Sequence, residues 1–240
     1  MNNRRTLIAA AVAAALILGA ASVGVLYFVV FAGSSPQKLA LSSPAASTSA
    51  SAASTDSVAA AGTWTVGSGS QAGYRVREQL ASLAAPSDAV GRTSAITGTL
   101  TLTQAADGYA VTAANFTVDV SKLTSDQSRR DQRIHSQGLE SDRYPTATFK
   151  LASPIALTTD AANGQSVHVS ASGDLTIHGV TKSVTIPIDT RLTGPKIELV
   201  GSITFPFGQF GMTPPSIGGF VTVQSNATME FQLLLARQGA

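Results

Sequence analysis

Residues 173–186 read Gly173-Asp-Leu-Thr-Ile-His-Gly-Val-Thr-Lys-Ser-Val-Thr-Ile186. Two runs of alternating apolar and polar residues meet at His178-Gly179, which is the pattern of a β-hairpin. The same period of two extends outward on both sides. Ser94 to Thr103 sets Ile96, Gly98, Leu100 and Leu102 against four threonines, and Asn115 to Val120 sets Phe116, Val118 and Val120 against Asn115, Thr117 and Asp119. In Val184 to Asp189 the apolar face is Val184, Ile186 and Ile188. Pro187 lies inside that run and has no N–H to donate, so a bulge or a sheet edge is expected there. Further runs at Thr63–Val66, Gly73–Gln79, Thr146–Leu151, Ser166–Ile177, Ile197–Phe205 and Val221–Leu235 bring the count to about nine strands. Strands with one polar face form antiparallel sheet, and this many of them make a closed barrel or a sandwich.

The last run bears on that choice. Val221, Val223, Ser225, Ala227, Met229, Phe231 and Leu233 are expected on one face, with small residues in the middle. A barrel with a cavity has reason to leave room there, but small residues also permit close sheet packing.

One segment breaks the β pattern. Thr124 with Gln127 three residues on reads as a capping box, Asp126 falls in the first turn, and Gly138 can end the helix. Arg129, Arg130, Asp131 and Arg133 make it too polar for a core, leaving Ile134 and Leu139 as docking residues.

The remaining chain divides by composition. Thr6 to Ala32 is an uncharged run after Arg4 and Arg5, long enough to cross a bilayer, with the arginines kept inside and the rest of the chain sent outward. Val30-Phe-Ala32 also resembles a small-residue cleavage site, so a cleaved signal sequence stays open beside an anchor over residues 1–32. Residues 33–62 are dominated by Ser, Ala, Thr and Pro, the composition of a disordered, solvated tether. Residues 63–237 form one domain. The chain has 16 basic and 14 acidic residues; setting aside Arg4, Arg5, Lys38 and Asp56 leaves 13 of each from Thr63 onward. A neutral domain without a basic stripe argues against nucleic-acid binding. There is no cysteine, which excludes disulfides, thiolate chemistry and a lipidated N-terminal Cys.

Taken together, the motifs resemble the YceI-like family of lipocalin-like, polyisoprenoid-binding domains. The likeness rests on Trp64, Gly91, Gly98, Ser121 through Arg130-Asp131, Tyr144-Pro145, Phe149, Gly173 through Thr181, and Phe210-Gly211-Met212. Gly67, Ser70-Gln71 and Gln209 depart from the family's pattern. The resemblance implies an all-β, eight-stranded antiparallel barrel with one short helix and a long hydrophobic pore for an isoprenoid chain. Candidate pore residues are Ile96 and Leu100, Phe116 and Val118, and Leu175 and Ile177. Phe207 and Phe210 from the loop before the last strand join them, with Ala227, Met229 and Phe231 from that strand. The aromatics of this Pro/Gly-rich loop either plug one barrel end or form a portal. Arg130, Asp131 and Arg133 are expected either to meet a headgroup or to dock the helix.

His178 reads as a turn residue, because no carboxylate or nucleophile accompanies it. His135 and His168 are isolated, and no metal-ligand spacing exists. No catalytic residue, metal or cofactor is therefore expected. The favoured function is an extracytoplasmic binding protein of a bacterial cell envelope, tethered to the membrane and holding or carrying a quinone or polyprenyl lipid. A structural or adhesive β-sandwich without ligand, and less so a hydrolase, are the alternatives. A homodimer is left open.

Overall fold

The computed structural model describes residues 35–43, 60–80, 86–106, 108–162, 164–193, 195–217 and 221–238. The chain falls into two compact units, Met1–Pro36 and Gln37–Ala240, and only Ser35 and Pro36 of the first are described. The expected membrane helix and cleavage site therefore lie outside the described residues. Among the described residues no helix is long and apolar enough to cross a membrane.

In the second unit the alternating runs form antiparallel strands. They are β1 (Gly62–Val66), β2 (Gln71–Leu80), β3 (Ser87–Thr93), β4 (Ile96–Ala105), β5 (Gly108–Asp119) and β6 (Thr146–Leu151), then β7 (Ile155–Thr158) and β8 (Val167–Ile177). The series ends with β9 (Val180–Thr193), β10 (Lys196–Pro206), the short β11 (Ser216–Ile217) and β12 (Val221–Arg237). Neighbours run β1-β4-β5-β6-β8-β9-β10-β12, and β12 pairs back onto β1, so the sheet closes into an eight-stranded barrel rather than a sandwich. The β2–β3 pair continues two of these staves: β2 prolongs β1 along β12, and β3 leads into β4.

The break between β1 and β2 is clasped by Ser70, a departure from the family pattern. Its hydroxyl donates to the Gly67 carbonyl at 2.8 Å and accepts from the Leu234 N–H at 2.9 Å, so β12 passes the gap without losing that bond.

The hairpin at His178-Gly179 is as expected. Both residues have positive φ, 53° and 71°, which suits the tight two-residue turn between paired Ile177 and Val180. Pro187 makes no bulge in the β8–β9 ladder, where it pairs with Ser170; instead the β9–β10 ladder ends at Ile188, one residue away.

Three expectations need correction. The α-helix runs Ser128–Arg133 and continues as a wider π turn over Ile134–Gly138; its N-cap is Gln127, with no side-chain bond, not Thr124. Thr124 is occupied elsewhere, exchanging backbone hydrogen bonds with Arg92 at 2.9 and 3.1 Å. Secondly, the inward row of β12 is interrupted. A bulge between Val223 and Ala227 turns Ser225 outward, where it is exposed. Thirdly, part of the presumed free tether is held to the barrel. Ser42 donates to Glu198 through both its N–H and its hydroxyl at 2.9 Å, while Arg191 and Gln232 donate to the Ser42 and Ala40 carbonyls. Outward-facing charged and amide side chains give this segment partners that its own composition does not reveal. Residues 44–59 of that tether lie outside the described residues.

The barrel is packed differently at its two ends. One end is filled around Trp64, Leu100, Leu102, Leu199, Leu233 and Leu235, with the Trp64 indole N–H donating to the Ala60 carbonyl at 3.0 Å. The other is walled by Val120, Leu123, Ile177, Phe205, Phe207 and Phe210. Aromatic rings pack against glycines of adjoining strands, Tyr74 at Gly91, Phe116 at Gly98, Phe149 at Gly173 and Phe231 at Gly201, so that a Cβ at any of these glycines would collide with the ring. The absence of a side chain lets each ring rest on the wall instead of crossing the lumen.

Candidate functional site

The second end of the barrel holds a cavity of about 480 Å³. This is within the range of roughly 300–1,000 Å³ found for small-molecule sites. Alternation along β2 turns Ala72, Tyr74, Val76 and Glu78 toward it, while Arg75 and Asp88 pair on the outer face. Val118, Ala147 and Ile177 line it from β5, β6 and β8, and Val223, Ala227 and Met229 from β12. The loop after β10 adds Phe207, Met212 and Pro215, and the helix adds Arg129, Arg130, Arg133, Ile134 and Leu139. A second cavity, of about 60 Å³, lies among Leu100, Phe116, Phe149, Leu151, Ile188 and Leu199 in the other half.

The expected pore residues thus separate. Val118, Ile177, Phe207, Ala227 and Met229 line the large cavity, whereas Leu100 and Phe116 line the small one. Ile96 and Leu175 are core residues that line neither, and Phe231 packs against the Trp64 end. Phe210 is fully buried, its ring edge-on to Phe205 at 4.8 Å, and belongs to the plug rather than to the cavity wall. Of the two roles expected for the loop before β12, Phe210 fits the plug, while Phe207 and Met212 wall the cavity.

Sequence reasoning missed Tyr74, Val76, Glu78, Ala147 and Met212 as wall residues. The alternation of β2 carried the signal, but Glu78 in its inward row obscured the apolar face.

The helix is held to the barrel by charge. Arg130 Nη2 donates to Glu78 Oε1 on β2 at 2.7 Å and Nη1 to the Asp126 carboxylate. Burial disfavours the guanidinium charge, but Glu78 and Asp126 outweigh this and raise its pKa. Asp131 accepts from the Ser125 N–H at 3.0 Å and from its hydroxyl at 2.7 Å, pinning the loop before the helix. Arg130 thus ties the helix to β2, and Asp131 ties it to its own leading loop. Arg129 and Arg133 line the cavity with no ion pair among the described residues, Arg129 exposed and Arg133 half-buried.

Under the helix, the Tyr74 hydroxyl is buried without a well-formed hydrogen bond, although Ser125 lies close enough to act on it. Burial pushes its pKa far above the ordinary phenol value, against an opposing pull from Arg130, so it is a neutral donor.

His178 sits outside this cavity. Its Nδ1 donates to the Phe210 carbonyl at 3.2 Å, and its ring packs on Tyr144 at 4.4 Å, which couples the hairpin turn to the aromatic plug. Among the described residues no cluster of His, Asp and Glu is placed to hold a metal ion. The site offers an apolar volume with cations along one side.

Comparison with known proteins agrees with this architecture. A UPF0312 protein of Vibrio parahaemolyticus is 35% identical over 95 residues, 39% of this chain and 42% of that protein. One of Vibrio vulnificus is 32% identical over 119 residues, 49% of this chain and 53% of its own length. The chain thus spans about half or less of these relatives. A solved polyisoprenoid binding domain from Saccharophagus degradans, implicated in plant cell wall breakdown, superposes with a TM-score of 0.53 at 13% identity, over 74% of this chain and 99% of that one. At that identity the likeness is one of fold. The YceI-like domain model matches residues 64–235, the whole barrel from Trp64 to Leu235, and this chain belongs to that family.

Proposed function

We propose that this protein binds a long-chain isoprenoid lipid, a quinone or a polyprenyl species, as a carrier or sequestering protein. The observation that carries the reading is the cavity of about 480 Å³ inside the barrel, walled by Val76, Val118, Ile177, Phe207 and Met229. Each methylene moved from water into such a volume contributes about 0.8 kcal/mol, less the cost of ordering the chain. Affinity for a long tail then needs no exact polar contact. The Saccharophagus domain, by its description a polyisoprenoid binder, lends support. Thr6 to Ala32 would tether the barrel outside the membrane and shorten the path of transfer.

The test is extraction of lipid from the purified full chain, identified by mass spectrometry. An isoprenoid is expected. A chain that yields no lipid and takes up no isoprenoid probe ends the reading.

A further inference from the structure

One side of the cavity carries more positive charge than its neighbours neutralise. Arg130 is already paired with Glu78 and Asp126. Arg129 and Arg133, four residues apart and so on one side of the helix, line the same cavity and meet no carboxylate among the described residues. Tyr74 lines the same cavity, and its buried hydroxyl is a neutral phenol without a well-formed bond. The acceptor among these groups is Glu78, and Arg130 has taken it.

Two uncompensated guanidiniums on one wall of an apolar cavity suit an oxyanion. Guanidinium presents a planar fork of donors that fits phosphate or carboxylate, and such charge-assisted bonds are about twice as strong as neutral ones. A neutral quinone or alcohol head would leave both cations without a counter-charge. Salt bridges that merely dock the helix do not explain them either, since neither arginine reaches a barrel carboxylate.

We propose that Arg129 and Arg133, with Tyr74 on the wall of the same cavity, form a subsite for the anionic head of an amphiphile whose tail fills the cavity. The ligand class is a phosphate or carboxylate on a long apolar chain. This rests on the lipid-cavity reading above and narrows it, favouring polyprenyl phosphates over quinones.

Titration calorimetry on the full chain with farnesol, farnesyl phosphate and inorganic phosphate tests it. Farnesyl phosphate is expected to bind roughly tenfold or more tightly than farnesol, and this margin should shrink with added salt. In Arg129→Gln/Arg133→Gln farnesyl phosphate should lose roughly tenfold in affinity and farnesol far less, so that the margin vanishes. Tyr74→Phe should remove part of the margin. Equal binding of alcohol and phosphate by the parent, or equal loss of both in the double variant, overturns the subsite while sparing the lipid reading. Inorganic phosphate binding as tightly as farnesyl phosphate also overturns it, since the site would then serve a free anion. If neither farnesol nor farnesyl phosphate binds, the lipid-cavity reading falls and takes the subsite with it.

Discussion

Arg130 and Glu78 stand 2.7 Å apart, joining a helix to a strand laid down 52 residues earlier in the chain. Both side chains are largely withdrawn from water, 19% and 9% exposed, so removing one strands the other. Arg130→Leu should cost about 3 kcal/mol by leaving the Glu78 carboxylate buried and unpaired. Glu78→Leu in the same chain should recover much of that loss. Urea unfolding of the two single variants and the double variant gives the coupling; additive losses would show that the pair does not hold the helix.

Gly91 is required by the ring lying on it. A Cβ there would overlap Tyr74 Cε1. Gly91→Ala should destabilise by roughly 1–3 kcal/mol and push the ring into the cavity, lowering uptake of an isoprenoid probe. Shortening the ring, as Tyr74→Ala, should make the added methyl nearly neutral. Melting temperature and probe binding of the single and double variants check both effects.

Ala227 faces Phe205 across the β10–β12 ladder and lines the large cavity. Ala227→Gln places an amide in that volume. Probe uptake should fall several-fold while the melting temperature changes little, since the cavity has room for the side chain. In a filled core the same substitution would cost about 1–3 kcal/mol or more, so a large drop in melting temperature would mean the volume is not there to be used.

Glu198 should report on the segment around Ser42. Burial opposes its ionisation, but hydrogen bonds from the Ser42 N–H and hydroxyl, Gln232 and Arg191 prevail and lower its pKa. A carboxylate lowered on folding adds stability that is complete above its unfolded pKa and is lost as pH falls through the folded one. The Ser42 amide shift, followed by NMR, should therefore stay constant down to about pH 4.3, the ordinary glutamate value, and titrate below it. In Glu198→Gln the curve should be flat. A midpoint at or above the ordinary value would contradict the clasp.

Local pattern revealed the strands and their faces, because a period of two is written into each run. It misplaced the helix start because both backbone groups of Thr124 are taken by Arg92, a partner 32 residues away in sequence that no capping pattern contains. It carried Ser225 to the wrong face because a bulge lifts that residue out of the row, which Ala227 and Met229 rejoin, without leaving a residue signature. The cavity residues of β2 were hidden for a similar reason. Glu78 reads as a solvent residue until Arg130 is brought beside it. Which two of the three helix arginines lack an ion pair among the described residues was equally beyond the sequence, since that depends on the same encounter. Gly91, Gly98 and Gly173 were legible as motif residues, but not as seats for particular rings.

β12 meets β10 on one side and both β1 and β2 on the other, so 17 residues close the entire circumference. The stave that begins the ring must wait for the stave that ends it. During synthesis, β10 and the β1–β2 stave remain open edges until Arg237 has emerged, an interval in which the chain is exposed to pairing with other copies. A premature stop before Val221 would then leave not a smaller barrel but an unrolled sheet, two-edged and prone to aggregate.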